Sequence, residues 1–295
     1  MRLNLSACPP FSLWAVVESH GWARLPPFAV DRTTGVIARI ERLETGQVVE
    51  LLIQEAVGGV TVEVRDQLAG SEREEVSRKV WWMLSLGEDL APFYALAREE
   101  PKLAHVERRA LGRMLRSPTV FEDLVKTLLT TNTTWAGSIR MAEALVSRLG
   151  DPLPTDPSRT AFPTPEQVAE ATEEELRQMG LGYRAPFLAE LARRVAEGEL
   201  DLEGLKDNDR PTEEVRRTLL GIKGVGEYAA ASLLMLLGRY DYLPMDTWAR
   251  KMVSREWYDG RPVGREEVEA AFERWGRWKG LAYWFWDWSP WGERP

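Results

Sequence analysis

The chain has 295 residues, of which 44% are hydrophobic and 28% charged, a composition typical of a globular protein. Its formal net charge of −8 argues against a protein that coats nucleic acid without specificity, although it leaves room for a local basic footprint. One cysteine and two histidines exclude an intrachain disulfide and a four-cysteine metal site, and they argue against a Ser-His-Asp triad. No apolar run reaches the length of a membrane span, which predicts a cytoplasmic protein that does not bind membranes.

Residues 1–66 have the pattern of an antiparallel sheet. Apolar runs flank two turn signals, Thr45-Gly46 and Gly58-Gly59, and apolar residues alternate with polar ones from Val60 to Val64. A helical pattern follows this region. The sequence therefore predicts an N-terminal antiparallel β domain with a trailing helix over residues 1–88.

The rest of the chain has helical patterns. Ser117-Pro118 is a helix start signal, and the apolar residues after it recur at i, i+3, i+4, i+7 and i+8. A proline-rich connector at residues 151–165 precedes further helices, one of which begins at a capping box of Thr172 and Glu175. The predicted fold class is α+β. An all-α body over residues 89–295, made of two packed helical subdomains with a returning C-terminal helix, follows the β domain.

Residues 212–238 predict a helical hairpin whose turn reads GIKGVG. Gly224 and Gly226 bracket Val225, and glycines permit backbone torsions that are closed to other residues. The amides that begin the second helix would then point outward and could hold a phosphate oxygen without any side-chain charge, with Lys223 adding a cation. An ordinary αα-corner accounts for the same spacing equally well.

Asp246 follows the hairpin in a short loop and has two interpretations. Aspartate is a favoured N-cap residue, so Asp246 could cap a helix that begins near Thr247. It could also be a functional carboxylate beside the phosphate contact. The two roles are compatible, because capping fixes the orientation of the carboxylate and helps to keep it ionised.

The hairpin and the aspartate together resemble the helix-hairpin-helix, Gly/Pro-rich loop and Asp motif of the endonuclease III (HhH-GPD) superfamily of DNA glycosylases. In that family the turn reads hydrophobic-Pro-Gly-Val-Gly, and here Lys223 replaces the proline. The separation of 18 residues between Tyr228 and Asp246 matches the distance from the turn to the family's catalytic aspartate. Pro244 supplies the proline of the loop.

Two earlier segments extend the resemblance. The stretch FEDLVKTLLTTNTTWAGSIRMAEAL resembles the family's first body helix and its loop, and Asn132 occupies the position that fills the gap left by an extruded base. The stretch LRQMGLGYRAPFLAELARRV resembles the 8-oxoguanine DNA glycosylase pattern. This resemblance implies that Tyr183 is a wedge in the base stack and that Arg184 is a candidate contact to the orphaned base. It also implies DNA contacts by the hairpin turn, Lys223 to Gly226, and by Trp248.

The resemblance implies an enzyme that extrudes a damaged base from double-stranded DNA and hydrolyses its N-glycosidic bond. Asp246 is the predicted catalytic residue, which stabilises the cationic sugar and orients or deprotonates a water. In bifunctional members a lysine at the position of Tyr228 attacks C1′ and permits strand cleavage. Tyrosine cannot form that imine, so we predict a monofunctional glycosylase that leaves an abasic site. The expected base pocket consists of Tyr228, Ser232, Tyr283, Trp286 and Asp287.

The closest branches are the 3-methyladenine and 8-oxoguanine glycosylases, because the cysteines of the iron–sulfur branches are absent. An aromatic pocket suits cationic alkylated purines, and this is the substrate we expect. An oxidised or deaminated base is the alternative, because Tyr283 and Asp287 are polar. A non-catalytic lesion-binding protein is an alternative of a different class. We expect a monomer that requires no cofactor. The family further implies a structural Na⁺ or K⁺ ion on the backbone carbonyls of Leu220, Ile222 and Val225.

Overall fold

The structure, a computed structural model, describes residues 1–286. They form two compact units, the first made of residues 1–89 and 113–203, the second of residues 90–112 and the described residues from 204 onward. The predicted α+β class is confirmed, since an antiparallel sheet is followed by helices. One break between the units lies beside the boundary expected at residue 88, and the remaining helices are divided between both units.

The sheet of the first unit has five antiparallel strands in the order β1-β5-β4-β3-β2. The strands are β1 (Arg2–Ser6), β2 (Phe28–Asp31), β3 (Val36–Arg42), β4 (Val48–Ala56) and β5 (Gly59–Val64). Two of the hairpins turn at glycines with positive φ, Gly46 at 87° and Gly58 at 72°, a conformation that other residues rarely adopt. Both turns were predicted from the sequence. The turn at Gly58 sets the register in which Ile53 pairs with Val62, and the turn at Gly46 sets the register in which Ile53 pairs with Ile37.

The helices are numbered in chain order as α1 (Leu13–Val17), α2 (Gly70–Met83), α3 (Ala91–Ala97), α4 (Val120–Thr130), α5 (Trp135–Leu149), α6 (Pro165–Glu170), α7 (Glu173–Gln178), α8 (Ala185–Ala196), α9 (Thr212–Leu220), α10 (Glu227–Leu236), α11 (Thr247–Trp257), α12 (Arg265–Phe272) and α13 (Lys279–Phe285). Helix α3 and helices α9 to α13 belong to the second unit, and the others belong to the first. The capping box predicted at Thr172 is present, because its hydroxyl accepts the Glu175 amide while the Glu175 carboxylate accepts the Thr172 amide.

The proline-rich connector contains a small structure that the sequence did not predict. Strands β6 (Pro152–Leu153) and β7 (Asp156–Thr160) form a two-stranded antiparallel ladder. Proline is tolerated in so short a ladder because an edge position does not need its missing amide hydrogen. The proline-rich composition therefore predicted only a connector at these residues.

A buried ionic cluster joins the sheet to α4 inside the first unit. Arg39 donates two hydrogen bonds to the Glu122 carboxylate, at 2.9 and 2.6 Å, and one to Glu41 at 2.7 Å. Lys126 lies 2.7 Å from Glu122, and Lys79 lies 2.8 Å from Glu41. Burial raises the pKa of Glu122, but the charges of Arg39 and Lys126 outweigh it and lower the pKa to about 2.

Asp123, the next residue on α4, is also buried but lacks such a close cation. Its Oδ1 accepts the Trp22 indole at 2.7 Å and the Ser117 amide at 2.8 Å. Burial dominates over these hydrogen bonds and raises the pKa of Asp123 to about 6. Two neighbouring acids therefore have pKa shifts of opposite sign, because only Glu122 is paired directly with two cations.

The second unit has an aromatic core around Phe272. Four rings surround it, with ring-centroid distances of 5.5 Å to Trp257, 5.3 Å to Trp275, 5.7 Å to Tyr283 and 5.6 Å to Trp286. Most of these pairs meet edge to face, the arrangement that the charge distribution of aromatic rings favours. Packing of α11, α12 and α13 thus accounts for a share of the many tryptophans.

Within residues 1–286, none of the helices combines the length and the hydrophobicity that a membrane crossing requires.

Candidate functional site

The hairpin of the second unit consists of α9, the turn Gly221–Gly226, and α10. Ile222 and Val225 are buried, at 3% and 6% exposure, whereas Gly224 and Gly226 are exposed. Gly224 has a φ of 85°, which explains the glycine at this position of the turn. Gly226 precedes α10, and no side chain caps its first turn. Because glycine has no side chain, the N-cap position supplies no acceptor to the amides that begin α10, and such a helix N-terminus suits an anion.

An ion-pair network that sequence reasoning missed joins the two helices of the hairpin. Arg216 on α9 donates to both carboxylate oxygens of Glu227, the first residue of α10, at 2.8 and 2.7 Å. Arg216 also lies 3.3 Å from Glu213, which accepts the Tyr242 hydroxyl at 2.7 Å. This hydrogen bond, with burial, raises the pKa of Tyr242 to about 12. The sequence did not predict this network because its residues lie on separate elements and share no local pattern.

Asp246 is exposed and caps α11, as the first of its two interpretations predicted. Its Oδ1 accepts the Ala249 amide at 2.8 Å and the Tyr283 hydroxyl at 3.3 Å. Among the described residues, its Oδ2 has no hydrogen-bond partner. One carboxylate oxygen is therefore held by the protein while the other is available to a ligand or a water.

Aromatic side chains pack against the ring of Tyr283, whose hydroxyl holds Asp246. Tyr283 is 4% exposed, and its ring meets Trp248 edge to face at 5.9 Å. Trp248 itself is 44% exposed, so part of its indole is open to solvent. Tyr283 was predicted as a base-pocket residue, and the structure adds a contact to the predicted catalytic acid that was not foreseen. The two residues are 37 positions apart, and no periodic pattern relates them.

The other predicted pocket residues have different environments. Tyr228 is 40% exposed on α10, and Ser232 one turn later donates its hydroxyl to the Tyr228 carbonyl at 2.9 Å. Trp286 is 3% exposed within the aromatic core, and its indole nitrogen has no partner among the described residues. Asp287 lies outside the described residues. Tyr228 and Ser232 thus share one helix face, whereas Trp286 contributes to packing.

A pocket of about 270 Å³ in the second unit has a charged lining that differs from the predicted aromatic one. It is lined by Arg216, Glu227, Ala231, Asp241, Tyr242, Leu243, Met245, Arg250, Arg265, Glu269 and Lys279. Because four of these residues are basic and three acidic, the pocket is not suited to an apolar purine face.

Three predicted residues are brought together in the first unit. Asn132 lies in the loop after α4 with a φ of 47°, and Tyr183 is 51% exposed in the 3-10 turn before α8. The Asn132 amide donates to the Tyr183 hydroxyl at 3.5 Å. Arg184 is only 6% exposed and donates to the backbone carbonyls of Leu128 and Thr131. Two side chains of this group are therefore presented to solvent, and the third points into the protein.

The described residues contain no group of three or more His, Cys, Asp or Glu side chains that could hold a metal ion. The cation expected from the family resemblance would use backbone oxygens instead, which suit hard monovalent ions. The Ile222 carbonyl already accepts the Val225 amide at 3.1 Å and keeps a second lone pair.

A helical hairpin with a glycine turn, followed by a capping aspartate in a Pro-containing loop, defines a protein of the helix-hairpin-helix class. The family model of the HhH-GPD superfamily base excision DNA repair protein matches residues 125–277. The chain belongs to the HhH-GPD superfamily of base excision DNA repair proteins.

Two relatives of this chain have names that give different activities. DNA-3-methyladenine glycosylase of Bacillus subtilis is 28% identical over 173 residues, which cover 57% of this chain and 56% of that protein. The N-glycosylase/DNA lyase of Saccharomyces cerevisiae is 25% identical over 197 residues, which cover 55% of this chain and 52% of that protein. The match thus spans about half the length of each relative.

A solved structure extends the likeness to nearly the whole chain. The 3-methyladenine DNA-glycosylase from Archaeoglobus fulgidus is 28% identical, with a TM-score of 0.76 and 97% coverage of both chains.

Proposed function

We propose that this chain is a monofunctional DNA glycosylase that extrudes a damaged base from duplex DNA and hydrolyses its N-glycosidic bond. The observation that carries the proposal is the placement of Asp246. Its carboxylate is exposed at the start of α11, with Oδ1 held by the Ala249 amide and the Tyr283 hydroxyl. Such an oriented carboxylate can stabilise positive charge that develops on a sugar.

The reaction requires one ionised carboxylate and one water. As the bond from C1′ to the base nitrogen breaks, its electron pair leaves with the base and the sugar becomes cationic. The Asp246 carboxylate stabilises this cation, and its Oδ2 accepts a proton from the attacking water. The water oxygen then bonds to C1′, and the product is an abasic site with both DNA strands intact.

Tyr228 supports the monofunctional assignment. A lyase needs an amine that forms an imine with C1′, and a phenol cannot form one. Tyr228 is the second residue of α10 and is 40% exposed, so its side chain is accessible where an amine would be needed.

Alkylated purines are the proposed substrates. Alkylation at N3 or N7 makes the purine cationic, so it leaves as a neutral base and needs no protein acid to protonate it. The partly exposed rings of Trp248 and Tyr228 would favour a cationic purine through cation–π attraction. The likeness to 3-methyladenine glycosylases of Bacillus subtilis and Archaeoglobus fulgidus points in the same direction.

DNA would be held by the hairpin turn. The first amides of α10, which no side chain caps, provide donors for a backbone phosphate, and the exposed Lys223 adds charge. A Na⁺ or K⁺ ion on the carbonyls of Leu220, Ile222 and Val225 would add positive charge to the same turn.

A base-release assay tests the proposal. Duplexes that contain 3-methyladenine, 7-methylguanine, hypoxanthine or 8-oxoguanine would be incubated with the purified protein, and free bases would be quantified. We expect release of the methylated purines at the highest rate. Release of none of these bases, with retained duplex binding, would instead identify a non-catalytic lesion-binding protein.

An 8-oxoguanine activity is the second candidate. It is favoured by the Asn132 and Tyr183 group, which matches the sequence pattern of that branch. Preferential release of 8-oxoguanine in the same panel would select it over the alkylated purines.

Borohydride trapping tests the monofunctional assignment separately. The wild type should form no covalent adduct with abasic DNA, because no amine occupies the position of Tyr228. A Tyr228→Lys variant provides the matched positive control, since it places an amine there. Trapping of the wild type would show that another amine acts as a lyase.

A further inference from the structure

Arg184 has a placement that its expected role does not explain. Its guanidinium is buried, at 6% exposure, and Nε donates to the Leu128 carbonyl at 3.1 Å while Nη2 donates to the Thr131 carbonyl. Both acceptors lie at the C-terminal end of α4, where the helix dipole favours a cation. A side chain that contacts an orphaned base would instead have to reach beyond the protein surface.

The same guanidinium supports the two exposed residues of this group. It lies 4.5 Å from the centroid of the Tyr183 ring, and the Tyr183 hydroxyl donates to the same Thr131 carbonyl at 3.3 Å. Thr131 directly precedes Asn132, whose left-handed backbone conformation needs support from its surroundings. Arg184 thus fixes the loop of Asn132 and the ring of Tyr183 through one shared carbonyl.

Energetics favour keeping Arg184 in this position when DNA binds. A hydrogen bond from a charged donor shifts an equilibrium by roughly 10- to 150-fold, so two of them together favour the buried position by roughly 10²- to 10⁴-fold. A good contact to one base edge is worth roughly 5- to 150-fold. Over most of these ranges, release of Arg184 to contact a base would lose more than it gains.

We infer that Arg184 is a positioning residue, which orients the Tyr183 wedge and the Asn132 loop and does not contact the base opposite the lesion. The inference rests on the proposed function, because it assumes that Tyr183 enters the DNA stack. Its consequence is that the protein does not use Arg184 to select the opposite base. Losses on mutation of Arg184 should then be the same whatever base stands there.

The test measures binding to duplexes with a tetrahydrofuran abasic analogue opposite C, T, A or G. We expect the four dissociation constants of the wild type to agree within about threefold. An Arg184→Met variant should weaken all four by about tenfold and leave their ratios unchanged. Arg184→Lys, which can still donate to one carbonyl, should recover part of the loss for all four duplexes.

A double-mutant cycle distinguishes positioning from direct contact. If Arg184 acts through the wedge and the loop, Arg184→Met should have a smaller effect in a Tyr183→Ala background, where only its support of the Asn132 loop remains. Arg148→Met is the matched control, because this exposed arginine is at the other end of α5 from the Asn132 loop, and melting temperatures verify folding. If Arg184→Met does not fold, the inference is tested by comparing Arg184→Lys with the wild type on the same four duplexes.

Three results would overturn the inference. The first is a loss of affinity confined to one opposite base. The second is an undiminished loss of affinity in the Tyr183→Ala background. The third is that the Arg184 variants bind the four duplexes as tightly as the wild type does. Because these binding assays need no base release, an inactive protein in the lesion panel would contradict the proposed function without affecting this test. Absence of binding to all four duplexes would contradict both.

Discussion

Acidic residues in the two units are placed in opposite ways. In the first unit, Glu122 is 2% exposed and fully engaged by Arg39 and Lys126. In the second unit, Asp246 is exposed, and one of its oxygens has no partner among the described residues. Glu122, whose oxygens are all engaged by cations, stabilises the fold, whereas Asp246 keeps one oxygen available for chemistry.

This difference also shows which observation identifies a site in this protein. Strongly shifted pKa values often mark functional residues. Here the pKa of about 6 belongs to Asp123, which is buried and bonded to Trp22 and Ser117. Its shift comes from burial and not from a ligand site. Exposure and an unsatisfied oxygen are therefore better guides here than titration.

The largest expected effect concerns the buried acid. Glu122→Gln removes the charge between Arg39 and Lys126 and leaves two buried cations without their shared partner. We expect the free energy of unfolding to fall by about 3–5 kcal/mol, measured by urea denaturation. Glu173→Gln, which breaks an exposed pair with Arg177, is the control and should cost below about 0.5 kcal/mol. If both variants lost a similar amount of unfolding free energy, buried and exposed acids would not differ in their contribution to stability.

The exposed acid should show the reverse behaviour. Asp246→Asn should reduce base release by about 10²- to 10³-fold, because it removes the charge that stabilises the cationic sugar. Asparagine caps helices nearly as well as aspartate, so the melting temperature should change little. Asp259→Asn, at the other end of α11, is the matched control for rate. Full activity of Asp246→Asn would show that another group performs the chemistry.

Asp123 predicts a pH dependence that sharpens the comparison. Its pKa is raised in the fold, so the folded state holds a proton that the unfolded state releases between pH 4 and pH 6. Stability from this group is therefore lost as the pH rises through that window. Relative to the wild type, Asp123→Asn should gain up to about 3 kcal/mol between pH 4 and pH 7 in thermal melts. A gain that does not depend on pH would contradict the buried proton.

The smallest effect is expected at Tyr283. Tyr283→Phe keeps the ring against Trp248 but removes the hydrogen bond to Asp246, so we expect kcat to fall about tenfold with little change in KM. Tyr258→Phe at the end of α11 serves as the control. An altered KM with unchanged kcat would assign Tyr283 to base binding alone.

Local features of the fold were predictable from the sequence. Glycine turns at Gly46 and Gly58, the capping box at Thr172 and the cap at Asp246 depend on neighbours within a few residues. The helix-hairpin-helix spacing from Tyr228 to Asp246 likewise lies in one continuous stretch. Such features follow from torsions and short-range hydrogen bonds, which the order of residues determines directly.

Long-range pairings could not be predicted in the same way. The Arg39–Glu122 pair is separated by 83 residues and the Tyr283–Asp246 bond by 37, and neither leaves a periodic trace. The inward direction of Arg184 depends on the two carbonyls that α4 offers it, which no property of the GYR segment reveals. In each case tertiary packing, and not local propensity, decides the partner.

The Arg216–Glu227 pair has a consequence for the ionic-strength behaviour of the protein. The carboxylate of Glu227 stands at the first residue of α10, beside the amides proposed to grip phosphate, and Arg216 neutralises it through two hydrogen bonds. When neutral amides bind a phosphate beside an acid that is already neutralised, few counterions are released from the DNA. The affinity should therefore decline gently with added salt, which allows an acidic protein to remain bound where a basic, charge-dependent binder would dissociate.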